Sequence, residues 1–276
     1  MKIKAYQICY SAETLSSVPE GFHVLDYTDN SRPDWREFWP IQQFLLNNYL
    51  ADDTLYGFLS PKFSHKTGLD FVSITEFINC NYTDQDIVTF SPFWDLSSIF
   101  KNVFEQGDFF HPGLLNAAQL FSNHHFSALD LGGSVTHSSN TIFCNYFFAK
   151  VSFWKEWLKL ANLLYFAAEN EGSKLFNVMN ANTTYGPNNL PMKIFIQERL
   201  ATTCLLLNSN LRTLNYDIFK LNASTTPFNQ FLEDSIVSDS LKFSYIKSGH
   251  PIYLNSFSLI RNRIISLLPN LFSKYF

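Results

Sequence analysis

Two lysines stand in a short segment of the sequence that carries no acidic residue. The segment LYGFLSPKFSHKTG runs from Leu55 to Gly68, and its apolar start gives way to Lys62 and Lys66 among hydroxyl side chains. Ammonium groups bind phosphates and other anions, and ligands of open α/β sheets lie beyond the carboxyl ends of strands. The segment is therefore either an anion-binding loop at a strand end or a solvated turn.

Further polar residues stand next to predicted strands or helices. The run DYTDN ends with Asp29 and Asn30, which follow a strand pattern and either bind a ribose or base edge or cap the next helix. Asp95 is either another helix cap or a catalytic carboxylate. Glu198 and Arg199 open an apolar helix, where the glutamate is either a general base beside a cleft or half of an internal ion pair.

The composition indicates a folded protein and excludes several classes. Hydrophobic residues make up 46% and aromatic residues 17% of 276 residues, which argues against disorder. The formal net charge of −4 gives no attraction to nucleic acid. The four cysteines are scattered without a CxxC, so we expect buried thiols and no zinc site. There is neither a signal-peptide pattern nor an apolar run of about 18 residues, and we expect a cytoplasmic protein.

Strand and helix patterns alternate along most of the chain. KIKAYQICY and DTLYGFL have strand character, whereas PDWREFWPIQQFLLNNYL and KVSFWKEWLKLANLLYF have helical spacing. Pro40 marks a kink or the true start of the first of these helices. The alternation predicts an α/β domain over residues 1–210, with a mostly parallel central sheet flanked by helices. Residues 211–276 are predicted to form a helical C-terminal appendage.

Common catalytic motifs are absent from the sequence. It contains no GxGxxG, GxxxxGK[ST], GxSxG or HExxH, which leaves the dinucleotide-binding, P-loop, α/β-hydrolase and zincin classes without support. The pair His124-His125 lacks metal-ligand spacing, and we expect it to be solvated.

The order of several segments resembles a group of bacterial glycosyltransferases from capsular and lipopolysaccharide O-chain gene clusters. The segments are DNSRPDWREFWPIQQFLLNN, DTLYGFLSPKF, DIVTFSPF, FEQGDFFHPGL, TIFCNYFFAKVSFWKEWL and IQERLATTCLLLN. The resemblance spans roughly residues 1–210 and implies a GT-A-like, Rossmann-like domain. It also implies transfer of a sugar from a nucleotide-sugar donor to a saccharide or lipid-linked saccharide acceptor.

The resemblance implies roles for individual residues. Glu198 is the first candidate for the base that takes the proton from the acceptor hydroxyl, followed by His111 and Asp95. The residues expected to bind the donor are Gln7, Asp29, Asn30, Lys62, Lys66, Asn145 and Arg199.

One departure from the family concerns metal ions. GT-A enzymes usually hold Mn²⁺ or Mg²⁺ with an Asp-x-Asp at the end of the central strand, and SPKFSHK stands at that place here. Asp84-Gln85-Asp86 fits the string but precedes a strand. Use of Mn²⁺ or Mg²⁺ is therefore open. We hypothesise that Lys62 and Lys66 stabilise the leaving phosphate in place of a metal.

The tail from Ser240 to Phe276 contains five cations and no acidic residue. Basic segments rich in Leu, Phe and Tyr bind membrane interfaces, so one interpretation is peripheral attachment to the inner face of the cytoplasmic membrane. The other is a helix packed on the domain with solvated arginines. The cations are Lys242, Lys247, Arg261, Arg263 and Lys274.

Two other functions compete with glycosyl transfer. One is a non-catalytic protein of the same fold that binds saccharides or partner enzymes at the membrane, an interpretation that the missing Asp-x-Asp favours. The other is an unrelated α/β enzyme that acts on phosphorylated metabolites through the two lysines.

Overall fold

A six-stranded sheet lies at the centre of the protein, in a computed structural model that describes residues 1–126 and 129–275, with residues 270–275 described by their backbone alone. The strands lie in the order β2-β1-β3-β5-β4-β8, and β5 is antiparallel to both of its neighbours while the other pairs are parallel. Helices flank the sheet, which confirms the predicted α/β class and mostly parallel sheet. The strands are β1 (Lys2–Cys9), β2 (His23–Asp26), β3 (Thr54–Leu59), β4 (Ile87–Thr89), β5 (Phe147–Ala149) and β8 (Thr213–Asn215).

The helices and one hairpin complete the described chain. The hairpin consists of β6 (Asn182–Tyr185) and β7 (Asn188–Pro191). The helices are α1 (Ala12–Ser16), α2 (Phe38–Asn47), α3 (Phe63–Thr67), α4 (Phe71–Asn81), α5 (Trp94–Ile99), α6 (Val103–Phe110), α7 (Leu114–His125), α8 (Val151–Glu169), α9 (Phe176–Asn180), α10 (Met192–Gln197), α11 (Leu200–Leu207), α12 (Leu232–Ser248) and α13 (Pro251–Tyr275). Short 3-10 turns span Pro33–Trp35, Ser138–Asn140, Ile218–Lys220 and Pro227–Gln230.

Strand β3 is buried on both faces of the sheet. Leu55 and Leu59 pack on the side of α3 and α4, whereas Tyr56 and Phe58 pack on the side of α2 and α8. This double burial explains the continuous apolar run of the strand. Position 57 of this strand requires glycine, because a Cβ there would lie 2.7 Å from the ring of Phe148 on β5.

The predicted loop after β3 is in fact the short helix α3. Phe63 is buried, and its ring centroid lies 5.0 Å from that of Tyr146. The hydroxyl of Thr67 donates to the Phe63 carbonyl at 2.8 Å, and Gly68 ends the helix with a φ of 76°. Burial of Phe63 and Thr67 thus winds this polar segment into a helix.

A sharp bend separates the 3-10 turn Pro33–Trp35 from α2. Arg36 adopts a φ of 47°, and α2 begins at Phe38. Pro40 therefore lies in the first turn of α2, where its missing N–H removes no helical hydrogen bond. Of the two predictions for Pro40, the helix start is confirmed.

The sheet extends past the predicted domain boundary at residue 210, because β8 pairs with β4. Helices α12 and α13 pack as a pair against α5, and Ile264 and Leu268 share a core cluster with Ile99. Lys242 is fully buried in this contact and donates to the carbonyls of Ser97 and Phe100. Burial lowers the pKa of Lys242 to about 8.

Both arginines of the tail form ion pairs within the protein. Arg261 forms an ion pair with Glu105 at 2.5 Å, and Arg263 forms one with Asp234. The side chain of Lys274 and the whole of Phe276 lie outside the described residues. These contacts favour a packed helix whose two arginines are ion-paired, with Arg263 also exposed to solvent, and membrane attachment stays a prediction. Within the described chain, no helix has the length and apolarity to cross a membrane.

Candidate functional site

A cleft of about 630 Å³ lies at the carboxyl ends of β1, β2 and β3. Tyr10 follows β1, Asn30 follows β2, and Ser60 follows β3. Because β5 runs antiparallel to β3, the residues before it, Cys144 and Asn145, lie at the same edge. The cleft therefore has the position that ligands occupy in open α/β sheets.

Three cations and two carboxyl groups line the cleft. They are Arg36, Glu37, Lys62, Lys66 and Glu198. The hydrogen-bonded ion pairs of the described chain include none of the three cations. Their charge is therefore available to an anionic ligand.

Lys66 lies deep in this cleft beside a thiol. Its Nζ is 3.3 Å from Sγ of Cys144 and 5.8 Å from the ring centroids of Phe93 and Tyr146. Burial lowers the pKa of Lys66, but Cys144 and the cleft carboxyls offset this and leave it above its ordinary value. Burial raises the pKa of Cys144 to about 11, so at neutral pH a charged ammonium faces a neutral thiol.

The two carboxyl groups of the cleft hold protons more tightly than exposed glutamates. Burial is the main cause that raises the pKa of Glu37 to about 7, and the nearby charge of Glu198 adds to this rise. Burial also raises the pKa of Glu198, against the effect of Arg199 and Lys66. The Glu198 side chain is 48% exposed, so water in the cleft limits its shift. A carboxyl group that titrates near neutral pH can accept and release protons during a reaction.

Strained backbone is concentrated at the cleft. Among its lining residues, Arg36, Cys144 and Asn145 have φ values of 47°, 60° and 55°. Positive φ is uncommon in residues other than glycine and occurs preferentially at functional sites. Two buried amides, those of Asn145 and Gln197, also face the cleft, and their oxygens have no partner among the described residues.

Three tyrosines, Tyr10, Tyr27 and Tyr185, contribute aromatic rings to the cleft wall. Tyr185 belongs to the β6–β7 hairpin, and the guanidinium of Arg36 lies 5.6 Å from its ring centroid. The hairpin is held in turn by His111, whose Nδ1 is 2.7 Å from the Thr184 carbonyl oxygen. Rings of this kind form stacking surfaces for planar ligands.

An ion-pair network lies behind the cleft and positions its charged residues. Arg32 donates to both carboxylate oxygens of Asp34 at 2.9 and 2.8 Å and to Glu169 at 2.7 Å. The Nζ of Lys193 donates to Asp34 at 2.8 Å, and Trp35 Nε1 donates to Glu169 at 2.8 Å. The network joins the turn before Arg36 and Glu37 to α10, which ends at Gln197 and is followed by Glu198.

The structure brings five of the predicted site residues together in this cleft. They come from four distant segments of the chain and are Asn30, Lys62, Lys66, Asn145 and Glu198.

The other predicted donor-binding residues do not line the cleft. The Gln7 amide donates to the Thr14 carbonyl at 3.2 Å and holds α1 against β1. Asp29 is exposed outside the cleft. Arg199 is buried and donates to the carbonyls of Val103 and Phe195 and to Gln106, so it joins α6 to α10.

Two of the three predicted catalytic residues also lie outside the cleft lining. The His111 ring stacks on Phe195 with centroids 3.7 Å apart and supports the hairpin. Asp95 is fully buried and accepts from the backbone N–H and hydroxyl of Ser224 at 2.8 and 2.6 Å. It therefore fixes the loop after β8, whereas the sequence suggested a helix cap.

The sequence interpretation missed Arg36, Glu37 and Gln197. The sequence could have indicated Arg36 and Glu37, because a helix that starts near Pro40 places these two residues at the bend just before the helix. Gln197 stands directly before the predicted Glu198, but its burial depends on the packing of α10, which one sequence does not reveal.

The structure offers no ligand set for the metal that the GT-A resemblance implies. Within the described chain, no group of three His, Cys, Asp or Glu side chains is placed to hold a metal ion. In the Asp84-Gln85-Asp86 string, Asp84 pairs with Lys150 at 2.7 Å and with Arg212 at 2.8 Å. The string precedes β4 and therefore lies at the opposite edge of the sheet from the cleft.

A second depression, of about 760 Å³, lies beside α7 but is shallow and open. Several of its polar groups are already bonded within the protein: Asp108 accepts from the backbone of Gly113 and Leu115, and Gln119 Oε1 accepts from that of Leu131. We therefore assign the functional site to the cleft.

Comparison with known proteins gives no match: no protein-family model, curated protein or solved structure is significantly similar to this chain.

Proposed function

We propose that this protein is a glycosyltransferase that moves a sugar from a nucleotide-sugar donor to a saccharide or lipid-linked saccharide of a growing bacterial surface polysaccharide. One observation carries the proposal. Unpaired cations and two proton-accepting carboxyls, from distant segments of the chain, meet in one cleft at the carboxyl edge of a Rossmann-like sheet. The order of segments that resembles GT-A enzymes supplies the reaction class.

In the proposed reaction, Arg36, Lys62 and Lys66 bind the donor diphosphate. The bond between the anomeric carbon and the phosphate oxygen breaks, and its electron pair leaves with the diphosphate. The three cations stabilise this developing negative charge, and Lys66 is held in place beforehand by its contact with Cys144. The tyrosine rings of the cleft wall stack on the nucleotide base.

The acceptor hydroxyl attacks the anomeric carbon and must lose its proton. Glu198 takes this proton as the general base, because its side chain is partly exposed to the cleft and lies 3.7 Å from Arg199, which opposes the effect of burial on its pKa. Glu37 shares the site and holds a proton near neutral pH. The acceptor oxygen keeps the electron pair with which it forms the new glycosidic bond.

The three cations of the cleft support donor binding without a metal ion held by the protein. Lys62 and Lys66 lie where the resemblance places the metal ligands of GT-A enzymes, and the cleft adds Arg36 to them. A metal carried in by the donor itself is compatible with this arrangement.

Thermal unfolding in the presence of nucleotides tests the proposal. UDP, GDP, CMP and dTDP are added one at a time, with Mn²⁺ or with EDTA, and the nucleotide that raises the midpoint is then used in a transfer assay with its sugar derivative. We expect one nucleotide to stabilise the protein and its sugar derivative to be consumed. Binding without consumption would favour the non-catalytic saccharide-binding protein. Stabilisation by inorganic phosphate alone would favour an enzyme of phosphorylated metabolites.

A further inference from the structure

Two buried amides in the cleft lack hydrogen-bond partners. Asn145 is 4% exposed and Gln197 is 2% exposed, and within the described chain neither Oδ1 of the first nor Oε1 of the second accepts a hydrogen bond. Buried polar groups in proteins are nearly always paired, and an unpaired one costs stability. Two such groups line one cleft, where a ligand can supply the missing partners.

The chemistry of an amide restricts what this partner is. An amide combines an acceptor oxygen with two N–H donors, and its terminal torsion is soft, so either end can turn to the cleft. A hydroxyl group both donates and accepts, and it therefore pairs with the amide in both orientations. Phosphate and carboxylate groups only accept, so they leave the amide oxygen unpaired.

The charges around the amides point the same way. Glu198 directly follows Gln197, and Glu37 lies in the same cleft. Uncharged hydroxyl groups can donate hydrogen bonds to both of these acids, whereas a carboxylate on the ligand cannot. The three cations of the cleft are assigned to the diphosphate, which leaves the amides for the sugar.

The backbone at Asn145 supports a ligand-binding role. Cys144 and Asn145 are consecutive residues with φ values of 60° and 55°. Such conformations cost free energy and persist where the surrounding structure fixes a functional group in place. Here the group they fix is the Asn145 amide at the cleft.

We propose that Asn145 and Gln197 form a subsite for the hydroxyl groups of an uncharged sugar ring. The sugar is then a neutral hexose or a similar polyhydroxyl ring, and not a uronic or sialic acid. This inference rests on the proposed function, because it divides one ligand into a diphosphate held by cations and a sugar held by amides.

Two variants and one matched control test the subsite. Gln197→Met removes the amide at nearly constant volume, and Asn145→Gly removes the other amide while accepting the positive φ. Gln42→Met is the control for affinity, because Gln42 is 3% exposed, has an unpaired Oε1 and lies outside the cleft, where its Nε2 donates to Asn162 at 2.8 Å. Calorimetric titration compares UDP with UDP-glucose and UDP-glucuronic acid, GDP with GDP-mannose, and CMP with CMP-sialic acid.

We expect a neutral sugar to raise affinity about tenfold over its nucleotide alone, the effect of one good hydrogen bond. Each cleft variant reduces this gain and leaves the affinity for the nucleotide unchanged, whereas Gln42→Met changes neither. Without ligand, Gln197→Met unfolds at a higher temperature than the wild type, because a buried unpaired amide is gone. A structural role for Gln197 predicts the opposite shift.

The remaining outcomes separate this proposal from the proposed function. The subsite is overturned, and glycosyl transfer is not, if the cleft variants bind neutral nucleotide sugars as well as the wild type does. The same holds if an acidic sugar adds more affinity than a neutral one. If no nucleotide binds, free glucose and mannose become the probes. If a free hexose binds the wild type but not Gln197→Met, the subsite is supported and the nucleotide-sugar donor is contradicted. If no hexose binds either, both the subsite and the donor are contradicted.

Discussion

Two clusters of charged side chains lie on opposite sides of the turn Pro33–Trp35 and are built differently. In the network behind the turn, Arg32, Lys193 and their acidic partners are joined by ion pairs of 2.7 to 3.3 Å. In the cleft, hydrogen-bonded ion pairs of the described chain include none of the lining cations. The charges of the network are matched by ion pairs within the protein, whereas the three cations of the cleft form no such hydrogen-bonded pair among the described residues. In the proposed function a diphosphate pairs with these three cations.

The largest effect that we expect from a substitution in either cluster is the loss of catalysis in a cleft variant. Glu198→Gln should lower the transfer rate by about 10²–10⁴-fold, the usual contribution of a positioned base. Its unfolding temperature should stay within a few degrees of the wild type, because the side chain makes only a long 3.7 Å contact with Arg199. Steady-state kinetics with the identified donor measures the rate, and Glu13→Gln on the surface is the control. An unchanged rate would remove Glu198 from the mechanism.

A substitution in the ion-pair network should instead lower the stability of the fold. Glu169→Gln weakens the acceptor shared by Arg32, Trp35 and Lys193, and we expect a loss of about 2 kcal/mol in the free energy of unfolding. We choose a moderate value because the Glu169 side chain is 30% exposed. Chemical denaturation measures the loss, with the exposed neighbour Glu171→Gln as the control. Equal stability of the two variants would show that the network does not hold the fold.

The pH dependence of stability should reveal the raised pKa of Glu37. Its pKa of about 7 in the folded protein lies above the unfolded value of about 4.3. The native state therefore keeps a proton that the unfolded chain loses, and the stabilisation from Glu37 is full below pH 4.3 and is lost as the pH rises through 7. With allowance for cleft water, we expect the loss to be about 1–2 kcal/mol.

Glu37→Gln should abolish this part of the pH profile. Denaturation curves at pH 5 and pH 8 for both proteins provide the measurement, and the difference between them isolates the contribution of Glu37. Parallel profiles for the wild type and the variant would mean that the carboxyl has an ordinary pKa.

The smallest effect concerns the predicted membrane contact. Lys247 is an exposed cation of the tail, while Arg261 and Arg263 are ion-paired within the protein. If the tail binds anionic lipid, Lys247→Gln should weaken co-sedimentation with phosphatidylserine-containing vesicles by about 1 kcal/mol, or about fivefold. No co-sedimentation of the wild-type protein would contradict membrane attachment. Deletion of residues 255–276 is unsuitable, since it removes the buried Ile264 and Leu268.

Much of the fold follows from local patterns, and less of the site does. The buried run of β3 and the spacing of α8 predict their elements because burial and periodicity are visible in the sequence. Lys62, Lys66 and Glu198 were predicted because each stands at the end of such an element. Arg36 and Gln197 were missed, since a backbone bend and the packing of α10 bring them to the cleft. His111 and Asp95 were misplaced for the same reason: tertiary partners, Phe195 and Ser224, decide where their side chains point.

The binding of a nucleoside diphosphate in EDTA tests the central claim most directly. Calorimetric titration compares the wild type with the Lys62→Met/Lys66→Met double variant, using whichever of UDP, GDP and dTDP binds best. We predict metal-free binding by the wild type and at least about 100-fold weaker binding by the variant, since each lysine supplies a charge-assisted contact worth about 1.5 kcal/mol. Equal affinity of the two proteins, or binding that requires Mn²⁺, would contradict the claim that these lysines take the place of a metal.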